Sequence, residues 1–311
     1  MSTAVARRHP VEVAMLFMVA AMMLVPAMDA IAKYLSLVMV AAQIAFARFA
    51  FQVLFLAPLA LGRPLLGAPG DGWLHALRGV LLALATTAFF AALAVMPMAE
   101  TIAIFFVEPL LLSLLAGVLL KEGIGWRRIT AILVGFGGAM LIVRPGLDAF
   151  GWAALLPLLA GFLFALYLVA TRVLAQRTEP VALQFTAGLA GAATMGILLV
   201  AGPLFGVQAL TPSWPDLASL AWLVVLGLIA TVSHLLIVHA FRRASANVLA
   251  PFQYLEIGAA VLWGYLIFGD FPGPLTWLGI AIITASGLYV FHRERRLSLA
   301  PRGIEEAAES R

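Results

Sequence analysis

Not one of the 311 residues is cysteine, and only 11% are charged. The first absence removes disulfides, thiolate metal sites and cysteine nucleophiles from consideration. The second removes the soluble globular class, in which about a quarter of residues carry charge. Long polar stretches are scarce as well: only the segment 203–216 forms a sizeable loop, and no stretch reads as a soluble signalling domain. Also missing are a paired-aspartate motif, His-Glu-x-x-His and a serine-centred motif, which argues against an intramembrane enzyme. What fills the chain is apolar, 64% of it. That composition describes an all-α membrane protein, because a chain in lipid must satisfy its backbone internally.

A bilayer core of about 30 Å takes about 20 apolar residues per helix. The sequence supplies ten such runs, at 11–35, 41–61, 74–95, 98–120, 128–143, 152–174, 180–202, 217–240, 246–268 and 275–291. Turn chemistry punctuates them, as in Gly-Arg-Pro at 62–64, Met-Pro-Met at 96–98, Arg-Pro-Gly at 144–146 and Phe-Pro-Gly-Pro at 271–274. Arg7, Arg8 and His9 ahead of the first run imitate a signal peptide. The run is too long for one, so it reads as a retained first helix. The net charge of +4 does not point to nucleic acid, because the basic residues stand at the ends of apolar runs. With the N-terminus inside, 16 of the 19 lysines and arginines, Arg78 and Arg172 among them, fall at cytoplasmic ends. Only Lys33 and Arg144 lie opposite, and Arg48 lies within a span. This bias puts both termini in the cytoplasm and supports the count of ten.

The ten runs are two sets of five. Adding 148 to the first numbering carries Glu108 onto Glu256, Glu122 onto Asp270 and Ala99 onto Asn247. Earlier in each set the offset is 139, which carries Lys33 onto Arg172 and Gln43 onto Ala182. Five is odd, so the second set enters the membrane upside down, and the expected architecture is two inverted five-helix repeats with a binding site between them near the midplane. The divisions are an N-terminal segment 1–10, a first repeat 11–146, a second repeat 150–292 and a tail 293–311, with disorder expected from His292 onward.

At Pro109 and Glu122, followed by Trp126-Arg-Arg-Ile and Gly135-Phe-Gly-Gly-Ala, the chain resembles the drug/metabolite transporter superfamily, specifically its ten-helix EamA-type branch. Met28-Asp29-Ala-Ile-Ala-Lys33-Tyr34 and Phe46-Ala-Arg48-Phe49 add to the likeness. The second copy departs from the pattern, with Ile257 in the place of the proline and Asp270 in that of the glutamate. The resemblance spans about 11–292 and implies transport rather than catalysis. It implies little about the solute, since the branch includes exporters of amino acids and metabolites and carriers of vitamins and cofactors.

The polar residues inside the spans carry the rest. A charged carboxylate at the bilayer centre costs about 3 kcal/mol even on the lenient insertion scale. Glu108 and Glu256 bear that cost at equivalent places, near Phe105 and Phe106 in one copy and Tyr254 in the other, and each can take up a proton or an amine as the site opens to one side. The structural alternative is a carboxyl bonded to a neighbouring backbone. Asp29 and Lys33, at i and i+4, share a helix face and can pair, either as a gate or zwitterion site near the outer end of the first span or as an ion pair that only lowers its own insertion cost, with Lys33 snorkelling outward. Arg48 requires a partner, either Asp29 or an anionic group of the solute. His234, the deeper of the two histidines, is a candidate cavity residue or proton carrier beside the alternative of a hydrogen-bonded structural histidine, whereas His239, on another face, reads as structural. Glu100 and Asn247 open their spans and read as caps.

The reading is therefore an inner-membrane secondary transporter that works by alternating access, with proton coupling allowed. The expected cavity is lined by Asp29, Arg48, Phe105, Glu108, His234, Tyr254 and Glu256, with Lys33 as the gate candidate. Both charge signs favour export of an amino-acid-like or zwitterionic metabolite. The alternative is uptake of a vitamin or cofactor such as riboflavin or S-adenosylmethionine, with the aromatic residues stacking on its ring. A small-molecule solute and the lipid bilayer are the expected partners, a homodimer is allowed, and no cofactor, metal or nucleic acid is called for.

Overall fold

In a hydrocarbon solvent each backbone N–H and C=O must find its partner inside the same segment or in a closed barrel. Here every long element is a helix. The computed structural model describes residues 2–68, 70–119, 126–143, 151–244 and 246–299. Its α-helices are α1 (Ser2–Leu35), α2 (Ala41–Ala60), α3 (Gly72–Val95), α4 (Met98–Phe105), α5 (Glu108–Leu119), α6 (Trp126–Val143), α7 (Leu155–Leu174), α8 (Pro180–Leu204), α9 (Leu217–Phe241), α10 (Ala246–Gln253), α11 (Leu255–Phe268) and α12 (Pro274–Leu299). Since α4 leads into α5 and α10 into α11, these make ten rods among the described residues, as the sequence implies. Threonines within the spans return their hydroxyls to the preceding turn, as the half-buried Thr87 does to Ala83 O at 2.8 Å and the buried Thr231 to Gly227 O at 2.8 Å.

The rods pack as two equivalent sets. Helix α1 lies against α9 as α7 lies against α3, and α1 meets α11 as α7 meets α5. Helices α2 and α8, which correspond to each other, pack together, as do α6 and α12. Exchanging the two halves thus reproduces the packing, which is what a two-fold relation between repeats demands. The halves run oppositely: Lys33, in the last turn of α1, bonds both to Met96, just before α4, and to Asp270, just after α11. The fourth span therefore begins at the membrane face where the ninth ends.

Two expectations need correction. The fourth and ninth spans are not continuous helices: α4 stops at Phe105, Phe106 and Val107 form a turn, and α5 starts at Glu108, while Tyr254 alone separates α10 from α11. Pro109 accounts for part of the first break, because it has no N–H to offer the carbonyl four residues back. The second correction concerns the tail, where α12 runs on to Leu299 rather than ending near His292. The stretch His-Arg-Glu-Arg-Arg-Leu is rich in good helix formers and holds no glycine or proline, so nothing stops the helix there. Lys121, Glu122, the 144–146 turn, the side chain of Asn247 and the tail beyond Leu299 lie outside the described residues.

Candidate functional site

The two helix breaks decide what lies at the centre. Each opens a gap in a span where a straight helix would turn its residues evenly around the axis. Glu108 becomes the first residue of α5, and Glu256 the second of α11. Adding 148 to 106 gives 254, so both breaks fall at the same repeat position. The first is packed against the opposite half. A Cβ on Gly161 of α7 would stand 3.2 Å from the Phe105 carbonyl oxygen and 3.6 Å from the Glu108 Cβ, so only glycine lets α7 ride this closely over the turn.

Five of the charged or titratable residues named from sequence converge here. Asp29, Arg48 and Glu108 are 2%, 3% and 8% exposed, and Glu256 and His234 are half-buried. The Glu256 carboxyl lies close enough to act electrostatically on that of Glu108. Asp29 interacts with both Glu256 and Arg48, and Arg48 in turn with His234. Asp29, Arg48 and Glu108 come from α1, α2 and α5 of the first half, whereas His234 and Glu256 come from α9 and α11 of the second. The site is thus shared between repeats. Tyr254, in the second break, lies within electrostatic reach of Glu108, and its ring sits 5.5 Å from that of Phe106.

Two of these groups are not satisfied by the protein. Arg48 Nε and Nη1, and Glu108 Oε1, are buried and find no hydrogen-bond partner among the described residues. The Arg48 guanidinium carbon lies 4.5 Å from the centroid of the Phe49 ring, a cation–π contact that takes up neither of these donors. The two partners weighed for Arg48, Asp29 and a solute anion, are therefore not exclusive: Asp29 lies within electrostatic range, yet donors remain unspent. His234 Nδ1 lies 2.7 Å from Ala230 O. A carbonyl can only accept, so Nδ1 carries the proton and Nε2 is left to accept one. His239 is exposed, with its ring 6.4 Å from that of Phe17, on a different face from His234.

An aromatic row adjoins the charged cluster. Phe105 meets Phe89 at 5.1 Å and Phe164 at 5.6 Å, both edge to face, and Phe164 continues to Tyr167 at 5.2 Å. Tyr167, absent from the sequence reading, is buried and interacts electrostatically with Arg48. Its ring also faces the guanidinium of Arg78 at 5.1 Å. Arg78 was counted as a topology signal at a membrane face, but it is fully buried, donating to Thr171 Oγ1 at 2.8 Å and Leu183 O at 2.9 Å. It fastens α3 to α7 and α8 across the two halves. The Phe-x-x-Tyr spacing at 164 and 167 puts both rings on one helix face and was the available signal; for Arg78, which sits near the start of a span like a topology residue, there was none.

Lys33 departs from its expected pairing with Asp29. Its ammonium lies 2.9 Å from Asp270 Oδ2 and donates to Met96 O at 2.8 Å, while Asp29 is within electrostatic range of Arg48 and Glu256. A lysine in the last turn of a helix reaches outward along its long stem more easily than back toward the bundle centre. Glu100, in the first turn of α4, accepts from Thr276 Oγ1 at 3.1 Å and so joins α4 to α12.

The comparisons agree with this architecture. A crystal structure of a protein 19% identical in sequence superposes with a TM-score of 0.62, covering 91% of this chain and 98% of that one, and shows the same fold. A riboflavin transporter of Rhizobium johnstonii is 33% identical over 81% of this chain and 80% of its own. A riboflavin transporter of Vibrio cholerae is 29% identical over 96% and 99%, and an S-adenosylmethionine uptake transporter of Rickettsia bellii is 29% identical over 86% and 89%. The EamA-like transporter family model matches residues 12–144 and again 151–291. With ten membrane rods in two inverted repeats and that model matched twice along its length, the chain belongs to the EamA-like transporter family and is a membrane transporter of small molecules, not an enzyme.

Proposed function

We propose that this carrier takes up a cofactor-sized solute that bears a heteroaromatic ring, and that the solute binds among Asp29, Arg48, Phe105, Glu108, His234, Tyr254 and Glu256. The observation that carries the reading is the pair of buried groups without protein partners, the Arg48 edge and Glu108 Oε1, set beside the row of aromatic rings. A buried polar group left unpaired costs roughly 1 to 3 kcal/mol and more when charged. A solute with an anionic group for Arg48 and a cationic or donor group for the acids removes that cost. A planar ring fits the aromatic side chains beside it.

Relatives named for riboflavin and for S-adenosylmethionine supply the two candidates, and both are ring-bearing. S-adenosylmethionine also bears a carboxylate, an ammonium and a sulfonium, so it answers both charge signs at once, and it is the first choice. It keeps the amino-acid-like head that the charge pattern suggests. Export of a plain amino acid is the second reading; the charge pair favours it, but it leaves the aromatic row without a role.

With the buried Arg78 set aside, 15 of the other 18 lysines and arginines still fall on one side, which supports an inner-membrane orientation with both termini cytoplasmic. Uptake of labelled S-adenosylmethionine and riboflavin into proteoliposomes is the test. Accumulation of one, competed by its unlabelled form but not by amino acids, is expected. Transport of amino acids with neither cofactor would overturn the reading.

A further inference from the structure

The face of the bundle at which α1 ends is fastened across the repeats. Lys33 of α1 reaches Asp270 Oδ2 at 2.9 Å and Met96 O at 2.8 Å, and its ammonium lies 5.0 Å from the Phe268 ring. Asp270 is placed by Gly269, whose φ of +73° turns the chain sharply at the end of α11, a conformation that other residues adopt at a cost. On the same side α4 packs against α11, close enough that a Cβ on Gly264 would lie 3.5 Å from that of Met98. One cation thus gathers the end of α1, the start of α4 and the end of α11, which come from both halves.

Exchanging the halves turns the contact of α4 with α11 into one of α10 with α5. Those two make no comparable contact among the described residues. Among the described residues the broken spans therefore pack differently at the two ends of the bundle, although the halves are equivalent in sequence register. The difference lies along the two broken spans that carry Glu108 and Glu256. The side-chain exposures of Lys33 and Asp270 are 16% and 29%, so the pair is neither sealed in the core nor fully solvated. An ion pair at that depth can form and release, whereas a fully buried one is costly to break.

We propose that Lys33 and Asp270, with Met96 O as third member, form the latch of a gate between α4 and α11, and that its release opens the central site to the face where α1 ends. This rests on the transport reading above, but its test needs no solute. Because the natural chain has no cysteine, Phe89→Cys places a single thiol in the aromatic row. A membrane-impermeant methanethiosulfonate is then applied from each side of oriented vesicles. Slow labelling from the Lys33 face is expected with the latch intact. Lys33→Met and, independently, Asp270→Asn should each raise that rate at least fivefold without changing labelling from the opposite face. The charge swap Lys33→Asp with Asp270→Lys should bring the rate back toward its starting value. Equal rates from the Lys33 face in wild type and in both single variants would overturn the latch, as would a swap that labels as fast as either single variant. Neither result depends on which solute, if any, the liposomes accumulate.

Discussion

The fourth and ninth spans are the same device built from different residues. Both break at the same position in the repeat and present a glutamate one or two residues later, but Pro109 follows the first break whereas Ile257 holds that place in the second. Pro251, inside α10, lies three residues before the second break. The turn also differs, two residues at Phe106 and Val107 against the single residue Tyr254. What the copies share is the acid at the gap and the packing from the opposite half. The break is therefore tied to presenting a carboxyl between the repeats, and proline is one aid to it rather than its cause.

The largest test of that equivalence is charge removal. Glu108→Gln and Glu256→Gln should each lower uptake roughly 10- to 100-fold, the worth of about 1.5 to 3 kcal/mol of charged hydrogen bonding, with insertion and helix content unchanged. A loss in one and not the other would break the symmetry between the copies, and wild-type rates in both would leave the acids structural. Next comes Gly161→Ala, which pushes a methyl against the Phe105 carbonyl. Overpacking of that kind costs on the order of 1 kcal/mol, so uptake should fall about fivefold. Pro109→Ala should matter less, within about twofold, a difference of ~0.4 kcal/mol; a much larger loss would make proline the cause of the break after all.

The smallest effect contrasts the third spans. Asp216 caps α9, its carboxylate accepting from Ser219 N at 2.8 Å, whereas Asp71 stands at the N-cap of α3 with no such bond and lies 3.7 Å from Arg177 of the other half. Hydrogen bonds from Ser219, through its side chain first and its backbone second, hold the Asp216 carboxyl below its ordinary range. A depressed folded-state value means that the stabilisation is complete above the unfolded pKa of about 3.9 and is lost as pH falls through the folded value. Asp216→Ala should therefore lower the thermal midpoint slightly at pH 7 and leave it unchanged in strong acid.

The span count, the inverted halves and the paired acids were legible in sequence because apolar length, lysine and arginine placement and a register of 148 are all one-dimensional signals. Asp29, Arg48, Glu108, His234 and Glu256 could be named for the same reason, each being a costly residue inside an apolar run. Their meeting could be expected but not measured. The breaks were not legible: Pro109 alone does not end a span, and the second copy lacks it. The partner of Lys33 was missed because i, i+4 spacing offered a nearer acid, and only the fold brings Asp270, 237 residues away, within 2.9 Å. Arg78 looked like a surface marker until its donors were seen satisfied by α7 and α8.

The most direct test is a structure determined with S-adenosylmethionine or riboflavin bound. The solute should lie between the two helix breaks, an anionic or acceptor group on the Arg48 edge, a donor on Glu108 and its ring beside Phe105. A solute bound at the lipid-facing surface or at one end of the bundle, with Arg48 and Glu108 untouched, would contradict the account.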